Sequence, residues 1–265
     1  MTQQNFHKRF ARTARLVGPE GVKRLSSAHV AVIGLGAVGS YAVEALTRAG
    51  VGNLTLVDFD QITHSNMNRQ LYALESTLGQ PKSEIARRRV LDINPDCNVR
   101  ALHTFIHHDT VRSVLEPRPD IVIDAIDSLN PKVELLTALH ELAIPTVTSM
   151  GAALRTDPSA IRVAKLKKSY NCPLARLVRK RLRRRNIPLD FTCVYSTETT
   201  DNLPDHAIGS DRADEHDHSF RGRQRSTLGS LPTITGIFGL TAANTAIKML
   251  AGETAQREPK ARKTG

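Results

Sequence analysis

Cysteine is scarce in this chain of 265 residues, which contains three, at Cys97, Cys172 and Cys193. None of the three belongs to a C-x-x-C pair, so the disulfide framework of a small secreted domain is excluded and a reducing, cytoplasmic location is expected. The same shortage excludes a structural zinc site held by two such pairs, and we expect no zinc. Tryptophan is absent and aromatic residues make up 4% of the sequence, so the core must consist mainly of Val, Ile, Leu and Ala.

Long apolar runs are also rare. The first residues, MTQQNFHKRFARTARL, are polar and basic, which predicts an N-terminal helical segment over residues 1–28 rather than a signal peptide. Residues 228–250 are almost free of charge and are long enough to suggest a membrane helix. Pro232, Gly236 and Asn244 favour a strand-like start followed by a buried helix at about residues 233–250, and we expect no membrane span.

Acidic residues are missing between Lys165 and Arg185, where ten Lys and Arg residues stand. The net charge of the chain is +11, and it would be +1 (11 − 10) without those ten. Residues 173–185 predict a basic helix, with Leu174, Leu177, Val178 and Leu182 on one face. So concentrated a surplus favours a polyanion as partner. The cations expected to meet it are Arg176, Arg179, Lys180, Arg183 and Arg184.

Strands and helices alternate through the first part of the chain, which is typical of the α/β class. We predict a Rossmann-like, doubly wound, mainly parallel sheet over residues 29–151, preceded by N-terminal helices. The strands are expected at residues 29–33, 53–58, 98–103, 120–127 and 144–149, and the helices at residues 37–49, 81–93 and 131–142.

The pattern changes after Gly151, and residues 152–265 are interpreted as an antiparallel and helical C-terminal extension. Residues 161–167 alternate like an exposed antiparallel strand, and the basic helix follows. Residues 199–226 are polar without apolar periodicity, which predicts a mobile surface loop.

A nucleotide-binding motif follows the first predicted strand. Gly34, Gly36 and Gly39 form G-x-G-x-x-G at the start of a helix, and Asp58 ends the next strand. Such glycines let a phosphate approach the helix N-terminus, and the acid holds a ribose hydroxyl. This motif alone also fits an NAD-dependent oxidoreductase.

Residues that NAD binding does not require follow in the next stretch. A second acid stands at Asp60, and Asn66, Arg69 and Gln70 come after it. Arginine and amide groups beside a nucleotide suit a triphosphate that is about to be attacked. Lys82 stands at the start of a predicted helix, where it opposes the helix dipole and therefore needs an anion nearby.

The stretches GLGAVG, LTLVDFD, SNMNRQ, GQPK and DAID stand in this order between residues 30 and 130. Together they resemble the ATP-dependent adenylating enzymes related to ubiquitin-activating enzymes and to the ThiF-like enzymes that adenylate molybdopterin and thiamine sulfur carriers. FTCVYSTE (191–198) and GSLPTITGIFG (229–239) resemble the branch that dehydrates threonylcarbamoyladenosine in tRNA. That branch cyclises the modified adenosine by adenylating its carboxylate, with release of AMP and pyrophosphate.

The resemblance implies ATP and Mg²⁺ as cofactors and assigns roles to single residues. Asp58 binds the ribose, and Asp127, at the end of a strand, binds Mg²⁺, with Asp124 as the weaker alternative. Arg12 reaches the ATP site of the partner in a homodimer, and Arg9 or Arg15 could replace it. The catalytic set is Arg69, Lys82, Asp127 and Arg12; the nucleotide set is Gly34, Gly36, Gly39, Asp58, Asp60, Asn66, Arg69, Gln70 and Lys82.

Three other functions compete with tRNA dehydration. An adenylyltransferase would activate the C-terminal Gly-Gly of a sulfur-carrier or ubiquitin-like protein, and a sulfur-transfer protein is a further candidate partner. An NAD-dependent oxidoreductase leaves Asn66, Arg69, Gln70 and Lys82 unexplained. A non-enzymatic protein that binds RNA or a membrane surface through the basic helix leaves the first 130 residues unexplained. Ubiquitin-activating relatives use a thioester cysteine, but Cys193 lies in an apolar strand-like run and is expected to pack.

Overall fold

The computed structural model describes residues 8–200, 208–212 and 226–252. Its centre is a seven-stranded sheet in the order β3-β2-β1-β4-β5-β7-β6. Each neighbouring pair is parallel except β6–β7, which is antiparallel. The strands are β1 His29–Ile33, β2 Asn53–Val57, β3 Asn98–Leu102, β4 Ile121–Asp124, β5 Thr146–Ser149, β6 Ile161–Lys165 and β7 Thr192–Ser196.

Helices cover both faces of this sheet, because successive strand residues point to opposite sides. The helices are α1 Ala11–Ser27, α2 Gly39–Ala49, α3 Lys82–Ile93, α4 Val111–Val114, α5 Leu129–Glu141, α6 Pro173–Arg184 and α7 Pro232–Ala251. Val30 and Val32 belong to the core beside α2, α3 and α7, and Ala31 and Ile33 belong to the core beside α4, α5 and α6. This confirms the Rossmann-like α/β prediction.

The predicted N-terminal helix corresponds to α1, which is broken at Gly18, where φ is +78°, just before Pro19. Proline removes a backbone donor and glycine accepts the left-handed region, so the two together account for the kink. Near its start, Phe10 is almost fully buried and packs against Gly50 at the end of α2. The first turn of α1 is therefore fixed to the amino edge of the parallel strands.

The C-terminal extension completes the sheet instead of forming a separate unit. β7 pairs in parallel with β5, and β6 then pairs antiparallel with β7 at the outer edge. The antiparallel strand predicted at residues 161–167 is therefore confirmed. The loop predicted at residues 199–226 falls mainly outside the described residues, and its described part departs from the prediction. There β8 (Ile208–Arg212) pairs antiparallel with β9 (Ser226–Leu228), because cross-strand pairing can order a polar segment that lacks apolar periodicity.

The apolar run near the C-terminus forms α7. By length and composition this helix could cross a membrane, but half of its apolar window is buried inside the protein. Close backbone contact with α2 explains its glycines, because a Cβ on Gly239 would lie 2.2 Å from Val38 O and one on Gly236 would lie 3.3 Å from the Tyr41 ring. The observed helix agrees with the predicted buried one. It packs directly behind the start of α2, where the glycine turn ends.

Candidate active site at the carboxyl edge of the sheet

The glycine turn joins β1 to α2 at the carboxyl edge of the sheet. Gly34 has a φ of +90°, and a Cβ there would lie 2.9 Å from Ala125 O. A Cβ on Gly39 would lie 1.8 Å from Gly34 O, whereas one on Gly36 would meet only the Gln70 amide, at 3.6 Å. The first and third glycines are therefore required by the fold itself. The middle one leaves open space beside Gln70, where a phosphate can approach the helix N-terminus.

Asp58 follows β2 and lies directly beside this turn. Its carboxylate is 8% exposed; Oδ2 accepts the N–H of Leu35 at 2.6 Å and Oδ1 accepts the N–H of Asp60 at 2.8 Å. Burial raises the pKa of Asp58, against the nearby positive charge of Lys82. Each oxygen of an ionised carboxylate has a second lone pair. Asp58 thus fixes the turn and can still accept a hydroxyl, as the sequence predicts for a ribose-binding acid.

The anion that Lys82 needs is Asp60. The Lys82 Nζ lies 2.9 Å from Asp60 Oδ2, and the lysine is 4% exposed. The backbone repeats the connection, because Lys82 N–H donates to Asp60 O at 3.0 Å. Because Asp60 supplies the anion, the position of Lys82 at a helix N-terminus does not by itself require a phosphate. Lys82 and Asp60 form a partly buried ion pair at the N-terminus of α3, so the lysine charge is largely balanced within the protein.

Asn66 lies in a short 3₁₀ turn, His64–Asn66, and serves that turn first. Its Oδ1 accepts the N–H of Thr63 at 3.2 Å, and the residue is 8% exposed. The side-chain oxygen is thus used in capping. The amide NH₂ of Asn66 is the group that could still contact a nucleotide. The predicted nucleotide-binding role of Asn66 is therefore limited to donating a hydrogen bond.

The guanidinium of Arg69 interacts electrostatically with the carboxylate of Asp127. Its Nη1 donates to Ser65 O at 2.8 Å and to Asn68 Oδ1 at 2.7 Å. Burial lowers the pKa of Arg69, and the negative charge of Asp127 acts in the opposite direction. These two residues are 58 positions apart in the sequence and come together at the carboxyl edge. A phosphate between the glycine turn and Arg69 would meet a partly buried, oriented cation.

Asp127 and Asp124 take different places in the structure. Asp127 is exposed at the mouth of the site, and Ser128 Oγ donates to its Oδ1 at 3.3 Å. Asp124 is fully buried, 2.6 Å from both Lys132 Nζ and Thr148 Oγ1. Asp124 therefore cannot serve as the alternative metal ligand, whereas the exposed carboxylate of Asp127 fits a hard cation held through oxygen.

Lys132 was missed by the sequence interpretation. Its ammonium is fully buried against Asp124, whose Oδ1 also accepts the N–H of Ile126 at 3.1 Å. A buried ion pair is weak evidence for stability, but this one shapes the turn that carries Asp127. A signal was present: Lys132 precedes Leu135 and Leu136 by three and four residues, so it lies on the apolar stripe of α5, where a lysine needs a partner.

The N-terminal arginines lie away from this site within one chain. Arg9 approaches Asn94 at 3.5 Å and Asp96 at 4.0 Å, at the end of α3 and hence at the amino edge of the sheet. Arg12 follows on the exposed surface of α1. One chain therefore does not bring its own Arg12 to its glycine turn, so a contribution from Arg12 requires a second copy.

Cys193 lies inside the sheet. It is fully buried on β7, and burial raises the pKa of its thiol to about 12. A thiol in this environment stays protonated at neutral pH and is a poor nucleophile. The structure thus supports a packing role for Cys193, as the sequence predicts.

The basic helix α6 buries an apolar face and exposes most of its cations. Val178 and Leu182 are fully buried, but Leu177 is 41% exposed, which corrects the predicted apolar face. The reason is geometric, because the four predicted apolar residues form a wide stripe around the helix and the protein core covers only part of that stripe. Arg179 is also corrected: its Nη1 donates to Ser169 O at 2.8 Å, so it anchors the helix. The exposed cations are Arg176, Lys180, Arg181, Arg183, Arg184 and Arg185, of which Arg185 pairs with Glu134.

Three neighbouring side chains after β3 could hold a metal by proximity alone. The ligand atoms of His107, His108 and Asp109 lie within 4.8 Å of one another. His108 Nε2 lies 2.7 Å from Asp109 Oδ1, and His107 Nδ1 lies 3.3 Å from Asp109 Oδ2. Hydrogen bonds between the imidazoles and the carboxylate account for this grouping, so we propose no metal there.

Comparison with known proteins extends this picture over nearly the whole chain. The model described as ThiF family matches residues 9–264. The tRNA threonylcarbamoyladenosine dehydratase of Bacillus subtilis is 42% identical over 190 residues, 72% of this chain and 75% of the relative.

The chain is also similar to solved structures of a tRNA threonylcarbamoyladenosine dehydratase. The crystal structure of Escherichia coli tRNA N6-threonylcarbamoyladenosine dehydratase in complex with AMP superposes with a TM-score of 0.82 at 34% identity, covering 94% of this chain and 96% of the other. The complex of that enzyme with ATP has a TM-score of 0.81 at 33% identity, with the same coverage. The two-sided fold and its C-terminal extension are therefore shared.

Proposed function

The chain belongs to the ThiF family, and we propose that it is an ATP-dependent tRNA threonylcarbamoyladenosine dehydratase. The observation that carries this conclusion is similarity at 34% identity, over 94% of the chain, to a dehydratase crystallised with AMP and, in a second structure, with ATP. The glycine turn, Asp58 and Arg69 stand together at the carboxyl edge, where nucleotides bind in α/β folds.

The reaction turns the carboxylate of N6-threonylcarbamoyladenosine into an electrophile. A carboxylate oxygen attacks the α-phosphate of ATP, which forms an acyl adenylate and releases pyrophosphate. A nitrogen of the same modified nucleoside then attacks the acyl carbon, so the ring closes, AMP leaves and the nucleoside has lost one water. An intramolecular attack of this kind has effective molarities up to about 10⁵ to 10⁸ M in favourable cases.

The residues of the site supply charge and orientation for the first step. The N–H groups of the glycine turn face the phosphates, and Asp58 accepts the ribose hydroxyls on its unused lone pairs. Arg69 neutralises charge on the triphosphate, and the amide NH₂ of Gln70 donates a hydrogen bond that orients it. Lys82, held in place by Asp60 at the start of α3, is the second cation proposed to meet the phosphates. Preorganised charge of this kind avoids reorganisation during the reaction.

Asp127 is the residue that would hold Mg²⁺. Its carboxylate is exposed and its negative charge acts on Arg69, so a cation beside it would face the same phosphates as the guanidinium. The ion would neutralise charge where carboxylate and phosphate meet.

The assembly proposed is a homodimer in which Arg12 of one chain completes the site of the other. This proposal is supported by the place of α1, whose first turn lies at the amino edge while the glycine turn lies at the carboxyl edge. The RNA is proposed to lie along the exposed cations of α6. A cytoplasmic location fits a tRNA substrate and three buried, unpaired cysteines.

One reaction tests this function. Incubate the protein with ATP, Mg²⁺ and tRNA that carries threonylcarbamoyladenosine, and measure the nucleosides by mass spectrometry. We expect the loss of one water from the modified adenosine together with AMP formation. A parallel reaction with a small carrier protein ending in Gly-Gly tests the adenylyltransferase alternative. Carrier-dependent AMP formation without any change in the tRNA would replace the proposed function.

A further inference from the structure

An exposed tyrosine lies three residues before Pro173, where the basic helix α6 begins. Aromatic side chains are scarce in this chain, and among the described residues the exposed Phe and Tyr rings are Phe59, at 37%, and Tyr170, at 54%. Phe59 adjoins the ribose-binding Asp58 and packs edge-on against Phe105 at 4.8 Å. Tyr170 lies on the other side of the carboxyl edge, in the basic segment.

The ring of Tyr170 is supported from beneath. Its centroid lies 5.8 Å from that of Tyr195 with the planes at 70°, an edge-to-face contact. Tyr195 is 4% exposed and belongs to the core beside α6. An edge-to-face partner in the core restricts the outer ring while leaving it accessible to solvent.

The backbone on both sides of Tyr170 is also anchored. Ser169 is buried, and its carbonyl accepts from Arg179 at 2.8 Å. Asn171 has a φ of +52°, its carbonyl accepts from Arg155 at 2.7 Å, and its Nδ2 donates to Thr197 O at 2.8 Å. Because these contacts exist in the free protein, little ordering remains to be done when a ligand meets the ring.

Position and charge indicate the ligand. Thr197 follows β7, and β7 is parallel to β5, so Tyr170 lies at the same carboxyl edge as the site. Since β7 and β4 are two strands apart, the distance across the edge is on the order of 10 Å. Lys168 and Arg176 are exposed on either side in the sequence. An aromatic face among cations is the combination that binds unpaired bases and their phosphates.

We propose that Tyr170 is a stacking platform for an unpaired base of the RNA, close to the adenosine whose carboxylate is activated. This inference rests on the proposed function and names the part of the protein that holds the substrate. A modified adenosine can reach the phosphate site only if the RNA around it leaves its helical stack. Tyr170 stabilises that conformation by covering a base face, and α6 holds the phosphates.

Three variants separate stacking from other roles. Tyr170→Phe keeps the ring, and Tyr170→Leu keeps an apolar side chain without a π face. Leu177→Ala removes an exposed apolar group from the neighbouring helix α6. The full chain is measured for RNA binding by filter retention at several salt concentrations and for turnover with tRNA carrying threonylcarbamoyladenosine. ATP binding and thermal melting of each variant serve as folding controls.

Tyr170→Leu should raise the Kd and the KM for tRNA roughly 5- to 150-fold, the effect expected when one base no longer stacks on an aromatic ring. Tyr170→Phe and Leu177→Ala should behave like the parent. The slope of log Kd against log salt should not change in Tyr170→Leu, because the substitution removes no cation that neutralises a phosphate. ATP binding should be the same in all variants.

Parental RNA binding by Tyr170→Leu overturns the inference, and so does equal weakening in Tyr170→Phe, which would point to the hydroxyl. A change of oligomeric state in Tyr170→Leu without a change in RNA binding would assign the ring to a protein contact, and also overturns it. Failure of the proposed function is a separate result, since the parent itself would then leave the modified adenosine unchanged.

Discussion

Asp58 has a structural role, and a binding role is proposed for the same nearly buried carboxylate. Its oxygens accept backbone N–H groups from the glycine turn and from its own loop, and burial raises its pKa. The ionised form accepts these bonds and the proposed ribose hydroxyls. Because the folded-state pKa is raised, this carboxylate gains its proton at a higher pH than an ordinary Asp, whose pKa is about 3.9.

ATP affinity should therefore weaken as pH falls from neutrality, before ordinary aspartates titrate. The stability effect has the opposite sense: a raised folded-state pKa favours the protonated form, so the contribution of Asp58 to the free energy of unfolding falls as pH rises through that pKa. Calorimetric ATP titrations across this pH range measure the first effect, with Asp58→Asn as control. An acid limb that persists unchanged in Asp58→Asn would assign it to another group.

Arg69 and Asp127 meet only in the folded protein, and both are proposed to act on the phosphates. Arg69→Ala and Asp127→Ala should each lower adenylate formation about 10² to 10³-fold, the usual effect of removing one stabilising charge. Pyrophosphate exchange measures the step, and the melting temperature should stay close to that of the parent, because both groups lie at the surface of the site. Near-parental exchange in either variant removes that residue from the catalytic set.

Cys193 supplies a test of the non-covalent route. Its thiol is buried and its pKa is raised to about 12, so it carries little negative charge at neutral pH. Cys193→Ser should keep activity within about tenfold of the parent, the decrease reflecting a hydroxyl in an apolar site. Steady-state turnover with tRNA gives the answer, and Cys97→Ser, at another buried thiol, is the matched control. A larger decrease confined to Cys193→Ser, with folding intact, would restore a thioester mechanism.

At the scale of elements, α6 separates its cations into two groups. Arg179 bonds to Ser169, and Arg185, although exposed, pairs with Glu134. Arg183 and Arg184 are also exposed. The structure therefore distinguishes arginines that anchor the helix from those that RNA can reach, which the net charge of the helix does not.

The apolar composition of α7 is explained by its position. This helix packs behind the glycine turn, with Gly239 in contact with the start of α2.

Replacing Arg183 and Arg184 by Gln should weaken tRNA binding and flatten its salt dependence by about 0.7 to 0.9 in log–log slope for each phosphate that the helix no longer neutralises. Filter binding at several salt concentrations measures both. The double variant Arg179→Gln/Arg185→Gln removes the same charge from anchored positions and should keep the parental slope, while its melting temperature falls. Equal slopes for both double variants would mean that overall charge, and not the exposed face of α6, attracts the RNA.

At the scale of the whole molecule, the N-terminal arginines and the proposed phosphate site lie at opposite edges of one sheet. A second copy is the simplest way to bring Arg12 to a glycine turn. A symmetric dimer would then contain two composite sites, each built from the N-terminal helix of one chain and the core of the other.

Mixing inactive Arg12→Ala chains with inactive Asp127→Ala chains should restore activity. Half of randomly mixed dimers are heterodimers, and one of their two sites is intact, so about 25% of parental activity is expected. Turnover after joint refolding or co-expression measures this. Mixing Arg69→Ala with Asp127→Ala is the control, because each site takes both residues from one core and every site in the mixture therefore lacks one of them. No recovery beyond that control would place Arg12 outside the site.

Local spacing was enough to predict most of the secondary structure. Strand and helix periodicities are properties of neighbouring residues, as are the G-x-G-x-x-G turn and the acid that ends β2. The predicted bounds of α6 and α7 also agree closely with the structure, because apolar and amphipathic stretches of that length usually form helices. The position of Asp58 beside the glycine turn was predictable for the same reason, because both belong to a short sequence motif.

Tertiary structure decided which side chains from distant parts of the sequence form ion pairs and hydrogen bonds with one another. Whether Asp124 or Asp127 can meet a metal depended on Lys132 and Thr148, which bury Asp124, and whether Lys82 faces only phosphate depended on Asp60. On α6, Leu177 was expected to be buried and is exposed, whereas Arg179 was expected to face RNA and instead bonds to Ser169. Burial of each side chain depends on what the neighbouring elements cover. Periodicity along a chain says which side of an element is apolar. The identity of the group opposite each side chain is set by packing between segments that are far apart in sequence.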